Sequence, residues 1–343
     1  MKLSRVGEFG LIDRIKKIVT SDSKNLLLGI GDDAALFRSR PGWITILTTD
    51  AMVEGIHFDL TYTPIESLGW KALAINLSDV AAMGGVPQYA VVSLAVPSNW
   101  EVEDVELFYR GMKQCGDFYG CMLIGGDTVS SNSGCFISVT VVGEVEDGLA
   151  VTRNGATNED VLCVTGKLGG SMVGLEVLRS GENKNRFPIS VKRFLEPGVK
   201  LRESRELVRE FKITSMIDIS DGLSSEILHI CQESNLGCLI EEDKIPVAEE
   251  VFLWAEKSGK SYSTYALNSG EEYELLFTMP KVEYEKFLSK KSDVAKFDFT
   301  VIGEMKPKSE GIKIMRQGST VPLSPEGWNH FENIEKGRQN YFS

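Results

Sequence analysis

The chain lacks any apolar run approaching the ~18 residues that a membrane helix requires. Its first 19 residues scatter acids and bases among the apolar positions, without the continuous hydrophobic stretch of a cleavable signal. Histidine is scarce: only His57, His229 and His330 occur, which argues against a zinc or iron site built on imidazoles. The six cysteines, at positions 115, 121, 135, 163, 231 and 238, form no CxxC pair and are too sparse for a disulfide scaffold. They are expected to be reduced, buried thiols in a cytoplasmic protein. Basic charge is also in deficit, 37 Lys and Arg against 49 Asp and Glu, giving a net charge of −12. That balance argues against a nucleic-acid backbone as partner, and any metal here should be a hard cation held by oxygen.

What remains is ordinary globular material. Hydrophobic residues make up 42% and charged residues 25% of the 343, enough for about two domains, each with its own core. Glycine is abundant at 33 residues, and many of these glycines sit beside aspartate. Residues 1–20 read as a short amphipathic helix. Strand-like runs follow at 26–30, 44–49, 89–96, 121–124 and 136–142, with helical patterns at 66–83 and 102–118. After the turn signal at 152–155 a second alternation begins. Its strands are expected at 161–165, 215–219, 237–241, 273–278 and 300–304, and its helices at 171–180, 200–211, 222–234, 247–258 and 281–290. Residues 181–197, with their Gly, Asn and Pro, read as a loop, and 241–265 as surface and packing. The expectation is an α/β (α+β) protein of two domains, 1–150 and 151–343.

Two nucleotide motifs suggest themselves and both fail. Gly29-Ile30-Gly31-Asp32-Asp33-Ala34 matches GxGxxA after a strand, but Arg38–Trp43 (RSRPGW) interrupts the long helix that a dinucleotide fold needs next. It also puts two carboxylates where a pyrophosphate should meet backbone amides. Gly259-Lys260-Ser261 resembles the end of a phosphate-binding loop, but its required first glycine is Trp254.

The acids form a more coherent pattern. Asp32, Asp33, Asp50 and Asp127 follow apolar strand-like runs in the first half, and Asp218 and Asp221 do so in the second. Asp79 falls on the apolar face of a helical pattern with Ala72, Ile75, Ala82 and Met83, so it needs a partner. One Asp after a strand is ordinarily a turn former or a helix cap, and Asp221 before Gly222 fits a cap. Converging carboxylates would repel unless divalent cations lay between them, and magnesium suits such a set.

The segments GEFGLIDRI, GIGDDAAL, TTDAMVEGIHF, KALAINLSDVAAMGG, LIGGDT, VTRNGA, IDISDGL, SGEEYELLF and EGWNHF occur in this order over residues 7–331. In this the chain resembles the thiamine-monophosphate kinase family, part of the aminoimidazole ribonucleotide synthetase superfamily, which binds ATP without a Walker A loop. The resemblance implies a two-domain aminoimidazole ribonucleotide synthetase-like fold. Its N-terminal mixed sheet would form a homodimer interface, and its C-terminal α/β domain would complete the nucleotide and substrate site. It implies transfer of the γ-phosphoryl group of ATP to thiamine monophosphate, the last step of thiamine diphosphate biosynthesis. Catalysis would come from positioning and several Mg²⁺ ions, without a dedicated catalytic side chain.

By motif position, the resemblance makes Asp33, Asp50, Asp79, Asp127, Asp218 and Asp221 magnesium ligands. Thr48 and Thr49 add oxygen contacts or are simply β-branched strand residues. Gly125 and Gly126 let the backbone approach ATP or form a tight turn. Arg153 and Ser220 would contact nucleotide phosphates, and Tyr109 would lie on the nucleotide side or pack within its helix. The cationic thiazolium and aminopyrimidine of the substrate suit an aromatic face and a carboxylate. Trp328, Glu271 and His57 are the matching positions; by residue type alone Trp328 also reads as a packing aromatic and Glu271 as a solvated acid. Two relatives in the superfamily fit less well. Selenophosphate synthetases use a Cys or selenocysteine near the N-terminus, whereas the first cysteine here is Cys115. The hydrogenase-maturation dehydratase ends in a functional Cys, whereas this chain ends Asn340-Tyr341-Phe342-Ser343.

Overall fold

A computed structural model describes residues 14–15, 17–19, 26–28, 36–37, 40–290 and 299–324. The chain forms two compact units, Met1–Ala150 with Leu195–Arg205, and Val151–Phe194 with Glu206–Ser343. Of the expected first helix, the described residues 14–15 and 17–19 are helical.

The first unit begins with the short antiparallel pair β1 (Leu26–Leu28) and β2 (Leu36–Phe37). Then come β3 (Trp43–Val53), α1 (Ile65–Ala82), β4 (Val86–Pro97), α2 (Val102–Tyr119), β5 (Met122–Ser131) and β6 (Phe136–Glu146). The last four strands make a mixed sheet in the order β3-β6-β4-β5. Only the β4–β5 pair, joined through α2, is parallel. Residues of β6 alternate strictly, with Ile137, Val139, Val141, Gly143 and Val145 buried and the residues between them not. Period-two alternation of this kind marks a sheet with one covered face. The other face presents Leu47, Val91, Val129 and Phe136 to solvent, Leu47 at 70% exposure.

α1 and α2 pack at very short range. A Cβ at Gly69 would lie 1.9 Å from the Phe108 carbonyl oxygen, and one at Gly111 would lie 1.8 Å from that of Glu66. Glycine at both crossings is what lets the two backbones meet. The segment Leu195–Arg205 is fastened to this unit. Ser67 Oγ donates to Glu196 (2.8 Å), Trp70 Nε1 to the Pro197 carbonyl (2.9 Å) and Ser204 Oγ to the Ala81 carbonyl (2.5 Å). Arg205 forks onto both carboxylate oxygens of Glu146 and reaches the Gly84 carbonyl.

The second unit contains β7 (Val161–Thr165), α3 (Gly170–Ser180), all but the last residue of α4 (Pro188–Leu195), the second half of α5 (Leu201–Glu210), β8 (Ser215–Asp218) and α6 (Leu223–Glu233). These are followed by β9 (Leu236–Glu241), α7 (Glu249–Ser258), α8 (Tyr262–Asn268), β10 (Leu275–Met279), α9 (Lys281–Lys290), β11 (Phe299–Pro307), β12 (Ile312–Arg316) and β13 (Ser319–Pro322). Seven strands form one sheet in the order β13-β12-β9-β11-β7-β10-β8, antiparallel except where β12 meets β9. Every residue of β7, β8 and β10 is buried, so these strands are covered on both faces. Leu162, Val164, Ile217, Ile227, Leu276 and Ile302 are among the residues of this core.

Three sequence expectations change. Residues 181–197 are not a loop but hold a 3-10 turn at Lys184–Arg186 and then α4, which starts on Pro188. Proline suits that first helical position because its missing N–H would have no partner there. In the 241–265 region the helix expected at 247–258 forms as α7, and to it are added a 3-10 turn at Glu242–Lys244 and the start of α8, which the sequence pattern leaves out. Asp50 and Asp127 lie within β3 and β5 and not at strand ends, so Gly125-Gly126 is part of a strand and not a tight turn.

Candidate functional site

In the first unit the alternation of β3 divides the expected residues between two faces. Thr48 and Asp50 share the helix-covered face with the buried Ile46 and Met52. There Asp79, three residues before the end of α1, receives a hydrogen bond from Thr48 Oγ1 (2.5 Å). One turn earlier on α1, Asn76 Oδ1 accepts the Asp50 amide (2.9 Å), and Asn76 Nδ2 donates to the Ala72 carbonyl. The partner that Asp79 needed is therefore a strand hydroxyl, and the same helix orients the neighbouring Asp50 backbone.

Thr49 points away from this group. It donates to the Val139 carbonyl (3.0 Å) and accepts from Thr140 Oγ1 (3.0 Å) on β6. Asp127 is exposed and stands in the register row Ala51–Ser138–Ser93–Asp127. Tyr109 is buried in α2. Burial pushes its phenol up to about 12 against a hydrogen bond with Thr128, and the nearby Asp127 charge adds to the rise. At Gly126 a Cβ would lie 2.2 Å from the Val92 carbonyl oxygen, so strand packing alone requires glycine there. His57, in the turn after β3, accepts the Val53 amide at Nδ1 (3.0 Å). In the neutral ring this places the proton on Nε2, as a donor.

In the second unit, five expected residues gather at the end of β8. Asp218 is the last, buried residue of that strand, with Ser220 and Asp221 in the turn to α6. Glu271 donates its amide to the Ser220 carbonyl (2.7 Å). Asp221 is not the helix cap: Gly222 takes that position, with no side-chain capping bond. Instead Glu226, one turn into α6, accepts the Asp221 amide (3.0 Å) and lies 3.5 Å from Ser220 Oγ. Burial is the main force pushing the Glu226 carboxyl up to about 7. The Asp221 amide opposes that rise, the Asp221 charge adds to it, and the Arg153 charge opposes it. Arg153 thus acts electrostatically on the same group of residues. Sequence reasoning missed Glu226, since a Glu in the first turn of a helix is unremarkable until its burial is known.

Asp33 and Trp328 lie outside the described residues. Among the described residues, no three acidic, histidine or cysteine side chains come close enough to hold one ion. The candidate donors are nonetheless all oxygens: the carboxylates of Asp50 and Asp79 with the Thr48 hydroxyl that bonds Asp79, and the carboxylates of Asp218 and Asp221 with the Ser220 hydroxyl. Magnesium takes only one or two carboxylates, filling its other positions with water and phosphate oxygens, so these groups fit it and suit a soft metal poorly. Cysteine chemistry has no foothold. All six thiols are buried, and burial holds those of Cys115 and Cys163 well above the ordinary range.

The description "AIR synthase related protein, N-terminal domain" matches residues 31–145, and its C-terminal counterpart matches 157–315. The thiamine-monophosphate kinase of Aquifex aeolicus is 40% identical over 96% of this chain and 100% of its own length. The chain belongs to the thiamine-monophosphate kinase family. The Bacillus subtilis thiamine-monophosphate kinase is 36% identical over 95% of this chain and 99% of its own. A solved structure of AaThiL complexed with AMPPCP and TMP superposes with a TM-score of 0.76 at 38% identity, covering 96% of this chain and 99% of that one. Family membership also accounts for the mixed α/β architecture with open sheets. No helix among the described residues is long and apolar enough to cross a membrane.

Proposed function

We propose that this protein transfers the γ-phosphoryl group of ATP to thiamine monophosphate, yielding thiamine diphosphate and ADP. The observation that carries this reading is the likeness, over nearly the whole chain, to a kinase structure holding AMPPCP and TMP. An oxygen of the acceptor phosphate attacks the γ-phosphorus, the bond to the β-phosphate bridging oxygen breaks, and that oxygen leaves on ADP. The attacking oxygen is already anionic near neutral pH, so no strong general base is required. The physical task is to align two polyanions and offset their charge.

Thr48, Asp50 and Asp79 in one unit, and Asp218 and Asp221 in the other, would hold Mg²⁺, with Asp33 and Asp127 assigned to the same role by motif. When bound, Mg²⁺ neutralises phosphate charge. The chain's own residues set the donors in place: Asn76 and Thr48 fix Asp50 and Asp79, and Glu226 fixes the Ser220–Asp221 turn. Arg153 and Ser220 would meet the nucleotide phosphates. His57, Glu271 and Trp328 would meet the thiamine portion, with His57 donating from Nε2. Glu271 is the hydrogen-bonding partner assigned to the aminopyrimidine. The buried free thiols suit a cytoplasmic location. The uncovered face of the β3-β6-β4-β5 sheet, with Leu47, Val91, Val129 and Phe136, suits a homodimer interface.

Incubation of the purified protein with Mg-ATP and thiamine monophosphate, resolved by chromatography, should give ADP and thiamine diphosphate in equal amounts. No product above a no-enzyme control would refute the assignment.

A further inference from the structure

We propose that Arg193, on α4, is a positioning residue for the reaction: it clamps two buried glutamates and thereby holds Glu271 against the Asp218–Asp221 turn. This rests on the functional reading above. Between α8 and β10 the chain runs Ser269-Gly270-Glu271-Glu272-Tyr273-Glu274, and two of these residues, Glu271 (φ 57°) and Tyr273 (φ 51°), are left-handed without being glycine. Each such residue is strained and persists only where its surroundings over-determine it. Four backbone bonds tie the segment to the end of β8. Glu271 donates to the Ser220 carbonyl, Glu272 (3.1 Å) and Tyr273 (2.9 Å) to that of Ile219, and the Ile219 amide donates to the Glu274 carbonyl (2.8 Å).

Those bonds alone would leave the glutamates among the strained residues uncompensated. The side chain of Glu272 is fully buried and that of Glu274 is 2% exposed. Arg193 donates from Nη1 to Glu272 Oε2 (2.7 Å) and from Nη2 to Glu274 Oε1 (3.2 Å), and it also reaches the Lys167 carbonyl. Glu272 Oε1 is occupied by the Ser171 amide (2.9 Å) and Ser269 Oγ (2.5 Å), and Glu274 Oε2 by Thr165 Oγ1 (2.7 Å). Thr165 Oγ1 in turn accepts the Leu275 amide (2.8 Å). The site is shaped for this arrangement: a Cβ at Gly166 would fall 2.2 Å from Glu274 Oε1, and one at Gly170 would fall 3.0 Å from Arg193 Cδ. One guanidinium thus balances two desolvated carboxylates at alternate positions. Its removal leaves both charges buried together, and their repulsion acts along the backbone on Glu271.

The test compares Arg193→Met and Arg193→Lys with the wild type, measuring KM for each substrate, kcat, and amide hydrogen exchange over residues 270–275. In Arg193→Met, KM for thiamine monophosphate should rise at least tenfold while KM for ATP stays within threefold. Exchange over 270–275 should speed at least tenfold, with the β12–β13 hairpin unchanged. Arg193→Lys keeps the charge but not the fork, and its KM for thiamine monophosphate should rise about three- to fivefold. A merely structural role would lower kcat with the folded fraction and leave both KM values alone. That result, or unchanged exchange over 270–275, overturns the proposal. Should Arg193→Met fail to fold, Arg193→Lys decides, and a KM within twofold of wild type overturns it. Absence of wild-type turnover would refute the functional reading instead, and the exchange measurement would still judge the clamp.

Discussion

Replacing Gly111 with Ala sets two physical effects against each other. In a helix interior alanine is favoured over glycine by about 1 kcal/mol, so propensity alone makes Gly111→Ala stabilising. The structure argues the reverse, because the new Cβ would sit 1.8 Å from the Glu66 carbonyl oxygen, 2.7 Å from its carbon and 3.0 Å from the Trp70 amide nitrogen. These are backbone atoms of α1, so no rotamer change relieves them. The helices must part by about 1.2 Å before the oxygen contact reaches 3.0 Å. That movement loosens Leu68, Phe108 and Met112, all fully buried. Overpacking of this kind costs about 1–3 kcal/mol or more, and the upper end applies where backbone must move. We expect a net loss of about 2 kcal/mol, read by urea unfolding followed by circular dichroism, and a Tm lower by about 4–8 °C. Gly120→Ala serves as comparison. That residue ends α2 at φ 78°, and its Cβ would meet nothing within 4 Å, so only backbone conformation is penalised, by about 1 kcal/mol. A Gly111→Ala protein as stable as wild type, or more stable than Gly120→Ala, would refute the crowding argument. Because α1 carries Asp79, the same substitution should also lower turnover in molecules that remain folded.

Two further outcomes follow from the first unit. Asp79→Asn preserves shape and the contact with Thr48 but removes the carboxylate charge, so turnover should fall at least a hundredfold with an unchanged Tm. Near-normal kcat at limiting Mg²⁺ would count against Asp79 as a ligand. Leu47→Asp puts a charge on the uncovered sheet face, midway along its edge strand β3, and should convert a dimer to a monomer by light scattering. A wild-type protein that is monomeric, or a variant that stays dimeric, would dismiss that interface.

Much of this architecture is legible in the sequence because burial imposes its own period. The alternation in Phe136–Glu146 gives a half-covered strand, and the unbroken apolar run at 161–165 gives a fully covered one. The periodicity of the 66–83 segment likewise places Asp79 on a helix in need of a partner. Asp127 escapes correct placement because Gly125-Gly126 normally signals a turn, whereas here the glycine at 126 serves close strand packing. The 181–197 segment is hidden by the same kind of punctuation, its Pro188 opening a helix where it looks like part of a loop. Glu226, Glu272 and Glu274 lie beyond sequence reasoning for another reason. An acidic run such as Glu271-Glu272-Tyr273-Glu274 reads as solvated surface, and only Arg193, some 80 positions away in the chain, makes its burial tolerable.

The return of Leu195–Arg205 to the first unit bears on how the molecule is made. During synthesis from the N-terminus, Glu146 and the Gly84 carbonyl emerge long before Arg205, and the Trp70 indole before Pro197. The nascent first unit must therefore leave those acceptors and donors to water while some fifty further residues are added. A cut at residue 150 would part Trp70, Gly84 and Glu146 from the Leu195–Arg205 strap that bonds them, so cutting the gene at the apparent domain boundary separates a lock from its key.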